Sequence, residues 1–167
     1  NNSVFYLGLE YKLEKGWKTY WRDPGDGGFP QTLDWSKSKN ISELKILWPT
    51  PIEFEILGLK SIGYKNKVIF PLKINVENIN LSSNLLLNVN FLTCKDICIP
   101  GNATLQLIVP PGAGQLTRHS LSLEKYISKV PRKNNKISGL KILNVSSITD
   151  QYLTFLKIKA SSVKPFI

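Results

Sequence analysis

The two cysteines of the chain, Cys94 and Cys98, have only three residues between them, in the segment FLTCKDICIPG. Cysteine thiolates act as nucleophiles, form disulfides and bind soft metal ions. Positions four apart on a straight strand are separated by about 13 Å, whereas a disulfide needs Cα atoms within about 7 Å. A bond between the two sulfurs therefore requires the chain to bend at residues 95–97, where Asp96 suits a turn. We expect Cys94 to end one strand and Cys98 to begin the return path.

The small ring that such a disulfide would close bears on its role. Closing a loop of about five residues contributes only about 2 kcal/mol in the loop-entropy model, and strain would reduce this further. A strained, accessible disulfide is easier to reduce, and its two thiols can resolve a mixed disulfide with a partner. Lys95 would favour a thiolate at Cys94 and Asp96 would oppose it, so sequence does not decide which sulfur attacks. On spacing alone, a structural or buried pair is an equal alternative.

A metal site is the third interpretation of the cysteine pair. Two thiolates in a C-x3-C arrangement suit Cu(I), and His119, the only histidine, would be an additional ligand. Zinc needs four protein ligands, or three with an open position, which would require Cys94, Cys98, His119 and some carboxylate. A lone histidine is more often a surface or hydrogen-bonded residue. We therefore predict no metal site and no cofactor.

Short strands must position the cysteines. Apolar residues alternate with polar ones over 3–14, 67–76 and 85–93, and residues 17–22, 44–48 and 104–109 also have strand character. Such strands, separated by turn signals about every ten residues, predict an all-β fold of the antiparallel β-sandwich type. Pro71 falls on the parity opposite to the apolar residues of its strand, which predicts that this strand has an open edge.

One short helix is predicted after these strands, in the segment SLSLEKYISKV. Ser120 is suited to cap it, and apolar residues follow at helical spacing at Leu123, Ile127 and Val130.

The order of these elements predicts two parts of the chain. We expect a first domain over 1–131 and a polar linker over 132–139. Residues 140–167 carry two further strands, which cannot bury a core alone. They are either the beginning of a second β domain, truncated here, or an extra hairpin on the first domain.

The composition narrows the function classes. The formal charge of +10 arises from 22 Lys plus Arg against 12 Asp plus Glu, and such a charge suggests a polyanionic partner. The lysines are scattered singly, however, which favours a generally basic surface over a nucleic-acid site. No apolar run reaches the roughly 18 to 20 residues of a membrane span, and no signal-peptide pattern begins the sequence. No nucleophile–base pair or phosphate-binding glycine loop is recognisable.

Four segments occur in a characteristic order: GWKTYWRDPGDGGFPQTLDW, LWPTP, IGYKNKVIFPLKI and CKDICIPGNATLQL. They resemble the N-terminal periplasmic domain of the DsbD family of bacterial transmembrane thiol-disulfide reductases, and the chain looks like the ScsB-like branch. The resemblance covers about residues 5–130, and residues 140–167 resemble the start of the second extracytoplasmic β domain of that branch. It implies an immunoglobulin-like sandwich in which Cys94 and Cys98 cycle between dithiol and disulfide.

The same resemblance implies an activity and its partners. It implies a protein-disulfide reductase, of which this chain is one periplasmic domain of a larger inner-membrane protein. In proteins of that family a membrane-embedded domain passes electrons through a thioredoxin-like domain of the same protein to the N-terminal domain. Oxidised periplasmic thioredoxin-fold proteins then receive them, such as disulfide isomerases, cytochrome c maturation thioredoxins or peroxiredoxins. The alternatives are a Cu(I)-binding copper-tolerance module and a passive β-sandwich binding domain with a structural disulfide.

The resemblance also supplies candidates around the cysteine pair. Tyr20 falls on an aromatic position near the cysteines. Residues 53–57 fall near the loop that caps them, where Leu57 aligns with the cap aromatic while Phe54 is the nearest residue whose ring would cover a disulfide. An apolar lid on a mobile loop would shield a reactive disulfide from stray thiols. DsbD itself has a longer spacing between its cysteines, so its turn geometry need not transfer.

Further candidates for cap or partner contact come from the neighbouring segments. Tyr64 lies at a strand end near expected loops, and Lys95 and Asp96 lie between the cysteines. Glu53 and Glu55 are expected to be solvated. A carboxylate held close to the pair would raise a thiol pKa and restrain its reactivity.

Overall fold

The computed structural model describes residues 3–112, 115–131, 140–149 and 153–162. The chain divides into two compact units, Asn1–Pro131 and Arg132–Ile167. The elements in chain order are β1 (Val4–Lys12), β2 (Lys18–Gly25), β3 (Thr32–Asp34), β4 (Glu43–Ile46), β5 (Ile52–Ile56), β6 (Leu59–Lys65), β7 (Lys67–Asn75), β8 (Ser83–Cys94), β9 (Cys98–Val109), α1 (Ser120–Ile127), β10 (Leu140–Thr149) and β11 (Thr154–Ser162). The strands expected from alternation are present, and β3, β5 and β6 have no counterpart among those expectations.

The first unit consists of two antiparallel sheets. One has the strand order β1-β7-β4, and the other has the order β3-β8-β2-β6-β5 with β9 paired to β8. Residues from both sheets form the main core: Leu9, Ile41, Tyr64, Val68, Phe70, Leu72, Ile74, Leu85, Leu87 and Val89. This arrangement confirms the all-β, immunoglobulin-like antiparallel β-sandwich.

Phe70 on β7 is at the centre of the main core. Its ring centroid lies 5.5 Å from that of Tyr11, 5.3 Å from that of Trp48 and 5.0 Å from that of Tyr64, each in edge-to-face geometry. Such pairs stabilise a core by about 0.5 to 1.5 kcal/mol beyond the burial of their area. Phe70 therefore connects the two sheets through its contact with Tyr64 of β6.

The open edge predicted for the strand of Pro71 is present over only part of β7, on the side of β4. β7 is the central strand of its sheet and pairs with β1 along its whole length. β4 pairs only with positions 72–75 of β7, so Pro71 lies just past the end of that pairing. A missing N–H is tolerated at such a position because the ladder has already ended.

The buried face changes along β8. Leu85, Leu87 and Val89 are buried in the main core, whereas Asn90 is exposed. Beyond it, Leu92 and Cys94 are buried on the opposite parity. Because successive side chains of a strand point to opposite faces, Leu92 and Cys94 lie on the outer face of the sheet, away from the main core. The last residues of β8 are thus covered on both faces of the sheet.

The expected helix is present as α1, but its cap differs from the expectation. His119 is the N-cap residue and no side chain caps the helix. The hydroxyl of Ser120 instead accepts a hydrogen bond of 2.8 Å from the N–H of Thr117, within the turn that precedes the helix. The helix is attached to the start of β7 through Tyr126, whose hydroxyl donates to the carbonyl of Lys67 at 2.9 Å.

The second unit is described over its two strands. β10 and β11 form an antiparallel hairpin with a register shift between Ile142 and Asn144. The predicted linker, 132–139, lies outside the described residues. Within the residues that the structure describes, the single helix is too short to cross a membrane.

Candidate redox site

The two cysteines face each other at the end of a hairpin. β8 ends at Cys94 and β9 begins at Cys98, and the two residues are directly paired. A disulfide joins them, with a Cα–Cα distance of 4.1 Å. The three intervening residues form the turn, in which the N–H of Lys95 donates to the carbonyl of Ile97 at 3.0 Å. The bend expected from the spacing is therefore confirmed.

The two cysteines differ in their access to solvent. Cys94 is 0% exposed, whereas Cys98 belongs to the exposed residues of the turn. A thiolate or disulfide of another protein can approach Cys98 directly, but it cannot approach Cys94 without a rearrangement. Sequence left the order of attack open, and this difference in exposure favours Cys98 as the sulfur that meets a partner.

Tyr20 lies against the buried sulfur, where the resemblance placed an aromatic residue. It is 1% exposed, and its hydroxyl donates a hydrogen bond of 3.0 Å to Sγ of Cys94. Burial raises the pKa of Tyr20, so its hydroxyl stays protonated and remains a donor at neutral pH. In the reduced protein the same donor would stabilise a thiolate at Cys94.

A glycine-rich loop packs against the tyrosine ring. Gly28 has a φ of 94°, and a Cβ at this position would lie 2.1 Å from the Tyr20 ring. Both the backbone conformation and the close approach require glycine. The sequence alone does not predict this contact with Tyr20, although the adjacent glycines Gly27 and Gly28 are a signal for close backbone approach.

The hairpin of β5 and β6 supplies the cap. The Phe54 ring packs against a small group of buried residues, here termed the redox cluster: Tyr20, Ile56, Leu92 and Cys94. Its centroid lies 6.0 Å from that of Tyr20. Leu57 and Gly58 form the two-residue turn of this hairpin, with φ of 51° and 77°, and Leu57 is 64% exposed. Of the two cap candidates, Phe54 is the one that covers the cluster.

The four charged candidates near the cysteine pair all have exposed side chains. Glu53 and Glu55 are exposed and alternate with Phe54, so they lie on the other face of β5 and away from the cluster. Lys95 and Asp96 form an ion pair of 3.8 Å between exposed side chains, which contributes little to stability.

Tyr64 is not placed where a partner could contact it. It is 7% exposed within the main core, and its hydroxyl donates to the carbonyl of Pro49 at 2.7 Å. The residue pairs with Thr19 across β2 and β6, and both side chains face the inside of the sandwich. Tyr64 does lie near the end of β6, but its side chain points into the sandwich and packs against Phe70 of the second sheet.

The described residues contain no group of three or more His, Cys, Asp or Glu arranged to hold a metal ion. His119 is exposed at the start of α1, where Nε of Arg118 lies 3.1 Å from its Nε2. It therefore does not join Cys94 and Cys98 in a ligand set.

Most of the first unit is similar to domains of known proteins. The family model for the thiol:disulfide interchange protein DsbD, N-terminal, matches residues 2–110. The solved N-terminal periplasmic domain of ScsB from Proteus mirabilis superposes with a TM-score of 0.72 at 28% identity, covering 93% of this chain and 58% of that one. The reduced N-terminal domain of DsbD from Neisseria meningitidis gives a TM-score of 0.36 at 12% identity, over 64% of this chain and 77% of that one.

No curated protein sequence matches the chain significantly. The chain spans 58% of the ScsB structure that it resembles, which is less than two thirds of its length.

Proposed function

Because the chain belongs to the family of the N-terminal domain of the thiol:disulfide interchange protein DsbD, we propose that its Cys94–Cys98 pair passes electrons to oxidised thioredoxin-fold proteins outside the cytoplasm. One observation carries this proposal. A small disulfide ring joins one exposed and one buried sulfur, and the buried sulfur has a dedicated hydrogen-bond donor in Tyr20. A ring of this size contributes little to stability, so its chemistry is the better reason for its presence.

The exchange begins from the reduced dithiol. The thiolate of Cys98 attacks one sulfur of the partner's disulfide, forms an S–S bond to it and releases the other sulfur as a thiolate. The thiolate of Cys94 then attacks Sγ of Cys98, which breaks the S–S bond between Cys98 and the partner, releases that partner sulfur as a thiolate and closes the intramolecular disulfide. Two electrons pass to the partner, whose two thiolates equilibrate with solvent protons. The domain is left in the oxidised form that the structure contains.

The arrangement of groups suits each sulfur to its step. Cys98 is exposed and leads the attack, while Cys94 is shielded from other proteins by the other residues of the redox cluster and by Phe54. Desolvation alone would raise the pKa of a buried thiol and slow the second attack. The Tyr20 hydroxyl opposes this effect because a hydrogen bond to the charged form stabilises the thiolate.

The source of the electrons belongs to the same proposal. The domain is periplasmic and is reduced by a thioredoxin-like domain of the same protein, which a membrane-embedded domain supplies in turn. The family membership and the likeness to a periplasmic domain of ScsB support this assignment. Regeneration of the dithiol is the reverse of the exchange above, with Cys98 as the sulfur that is attacked.

Two serine variants test the proposed function. The reduced Cys94→Ser chain keeps the exposed Cys98 thiol but lacks the resolving sulfur, so it should accumulate a mixed disulfide with an oxidised thioredoxin. The Cys98→Ser chain keeps only a buried thiol and should form that species at least about tenfold more slowly. The rates are read on non-reducing gels and by mass spectrometry.

The Cys94→Ser/Cys98→Ser double variant is the control for binding without exchange, and neither single change should unfold the domain. Equal rates of mixed-disulfide formation in the two single variants would contradict the assignment of Cys98 as the attacking residue and Cys94 as the resolving one. Electron transfer at the parent rate in both variants would overturn the proposed function. Tight stoichiometric Cu(I) binding with no thiol exchange would favour the copper-tolerance alternative.

A further inference from the structure

Four residues form one row across four neighbouring strands on the outer face of the larger sheet. Cys98 pairs with Cys94, and Cys94 pairs with Lys18. Lys18 in turn pairs with Lys65. Directly paired residues of antiparallel strands share a face, with Cβ atoms about 4.5 to 5.5 Å apart. The disulfide therefore occupies one end of the row, and two lysines continue it.

A third lysine joins this row from the turn. Lys95 follows Cys94, and its side chain lies over Gly16, at which a Cβ would be only 3.0 Å from Cε of Lys95. Gly16 also accepts a hydrogen bond of 3.2 Å on its carbonyl from Nζ of Lys18. Lys18 and Lys95 thus meet around the same glycine. We call Lys18, Lys65 and Lys95 the basic rim.

Carboxylates do little to neutralise the basic rim. Within the described part of the chain, neither Lys18 nor Lys65 takes part in an ion pair. Asp96 is the acidic residue of the turn, and its contact with Lys95 is long and solvent-exposed. The acidic residues of β5 lie on the opposite face from Phe54, as described above. The rim therefore carries a net positive charge beside the exposed sulfur.

The rim is also held in place relative to the cap. Nζ of Lys18 lies 5.6 Å from the centroid of the Phe54 ring, a distance at which the ring face attracts a cation. On the other side of the disulfide, Ile97 is 61% exposed in the turn and flanks Cys98. An approaching protein would meet an apolar residue next to the sulfur and fixed positive charge behind it.

We propose that the basic rim selects partner proteins whose exposed disulfide is bordered by carboxylates. This inference rests on the proposed function and specifies the chemistry of the partner. Charge attraction raises the rate of encounter and is screened by salt. It acts on the first step, in which Cys98 attacks the partner, and leaves the electron balance of the exchange unchanged. A nucleic acid would satisfy the charge but offers no disulfide to the sulfur at the end of the row.

Three disulfide probes of equal length test this selection. Each is the symmetric disulfide of a short single-cysteine peptide, with the cysteine flanked by Glu, by Lys or by uncharged Gln. The reduced full chain reacts with each probe, and formation of the Cys94–Cys98 disulfide is followed by rapid acid quench and mass spectrometry. At about 20 mM ionic strength we expect the Glu probe to react about tenfold faster than the Lys probe, and at 0.5 M salt less than about twofold faster.

A triple variant locates the effect. Lys18→Gln/Lys65→Gln/Lys95→Gln should lower the ratio of the Glu to the Lys rate to about two or three. The matched control is Lys39→Gln/Lys45→Gln/Lys73→Gln, which removes the same charge elsewhere: Lys45 and Lys73 pair on the other sheet, and Lys39 bridges Asn84 near the far end of β8. It should keep most of the ratio. Using the ratio cancels any change in the intrinsic reactivity of the thiols.

The outcomes separate this inference from the proposed function. A Glu to Lys ratio near one in the parent chain at low salt overturns the inference while exchange itself stands. Equal losses in the two triple variants also overturn it, because net charge rather than the basic rim would then be responsible. No reaction even with the Gln probe overturns the proposed function, and the inference with it. The salt dependence of the parent chain gives an answer that does not depend on the folding of any variant.

Discussion

Cys94 and Tyr20 show how one residue sets the chemistry of another. Burial makes ionisation of a thiol less favourable because the thiolate loses its hydration. A hydroxyl that donates a hydrogen bond to the sulfur offsets part of this loss. Hydrogen bonds to charged groups contribute about 1.5 to 3 kcal/mol, and one pKa unit corresponds to about 1.4 kcal/mol. The hydrogen bond from the Tyr20 hydroxyl is therefore strong enough to decide whether Cys94 is available as a thiolate near neutral pH.

The Tyr20→Phe variant tests this role. Loss of the hydroxyl removes a donor that stabilises the thiolate more than the neutral thiol, so the pKa of the reduced Cys94 thiol should rise by about one unit. The measurement is the pH dependence of thiolate absorbance or of alkylation in the Cys98→Ser background. Tyr64→Phe, which removes a hydroxyl bonded to Pro49 in the main core, is the matched control. A Cys94 pKa that is the same in the Tyr20→Phe and Tyr64→Phe chains would contradict the assignment.

At the residue scale, the reactive residues are easier to predict from the sequence than the residues that surround them in the folded chain. The spacing of Cys94 and Cys98 was enough to predict a turn between them, and the resemblance placed Tyr20 nearby. The difference in exposure between the two cysteines could not be read from spacing. Neither could the pairing of Lys18 with Cys94, because it depends on the register of strands 74 or more residues apart in the chain.

The β5–β6 hairpin is the element that closes the site. Residues 52–56 alternate in sequence, yet their turn consists of Leu57 and Gly58, which lacks the Asn-Gly signal of such hairpins. For this reason the hairpin was absent from the expected strands. The change of buried face in β8 did have a sequence signal, because apolar residues occupy both parities at Phe91, Leu92 and Cys94. Apolar residues on both parities indicate a strand that is covered on both faces.

Truncation of the cap ring should expose the buried thiol. In the Cys98→Ser background, we expect Phe54→Ala to increase the alkylation rate of Cys94 by about fivefold or more, because cysteine reactivity follows exposure. Leu57→Ala removes a comparable apolar side chain at the exposed turn and should change the rate by less than about twofold. Mass spectrometry of the alkylated protein gives both rates. Equal acceleration in the two variants would show that Phe54 has no special role as a lid.

At the scale of the whole molecule, the chemistry is contained in the first unit. The main core, the redox cluster and the basic rim all lie within Asn1–Pro131. The second unit is described as a two-stranded hairpin, and two strands alone are marginally stable in water. We propose that 1–131 is the functional domain and that 140–167 opens a further β domain, as the resemblance to the ScsB-like branch implies.

A chain shortened to residues 1–131 tests this division. It should unfold in one cooperative transition, with a free energy of unfolding within about 1 kcal/mol of the parent value. Its mixed-disulfide rate with oxidised thioredoxin should also match that of the parent. Denaturant unfolding followed by tryptophan fluorescence gives the free energy of unfolding. A loss of cooperative unfolding would instead make the second unit part of the redox domain.

The reduction potential of the Cys94–Cys98 pair tests the central claim most directly, because an exchanging disulfide and a bracing disulfide differ in this quantity. The full chain is equilibrated in glutathione buffers of known potential, and the fraction of dithiol is counted by alkylation and mass spectrometry. We predict a midpoint above about −300 mV, where glutathione and thioredoxin-fold proteins can open and reclose the bond. A midpoint below about −300 mV, the range of inert structural disulfides, would contradict the account.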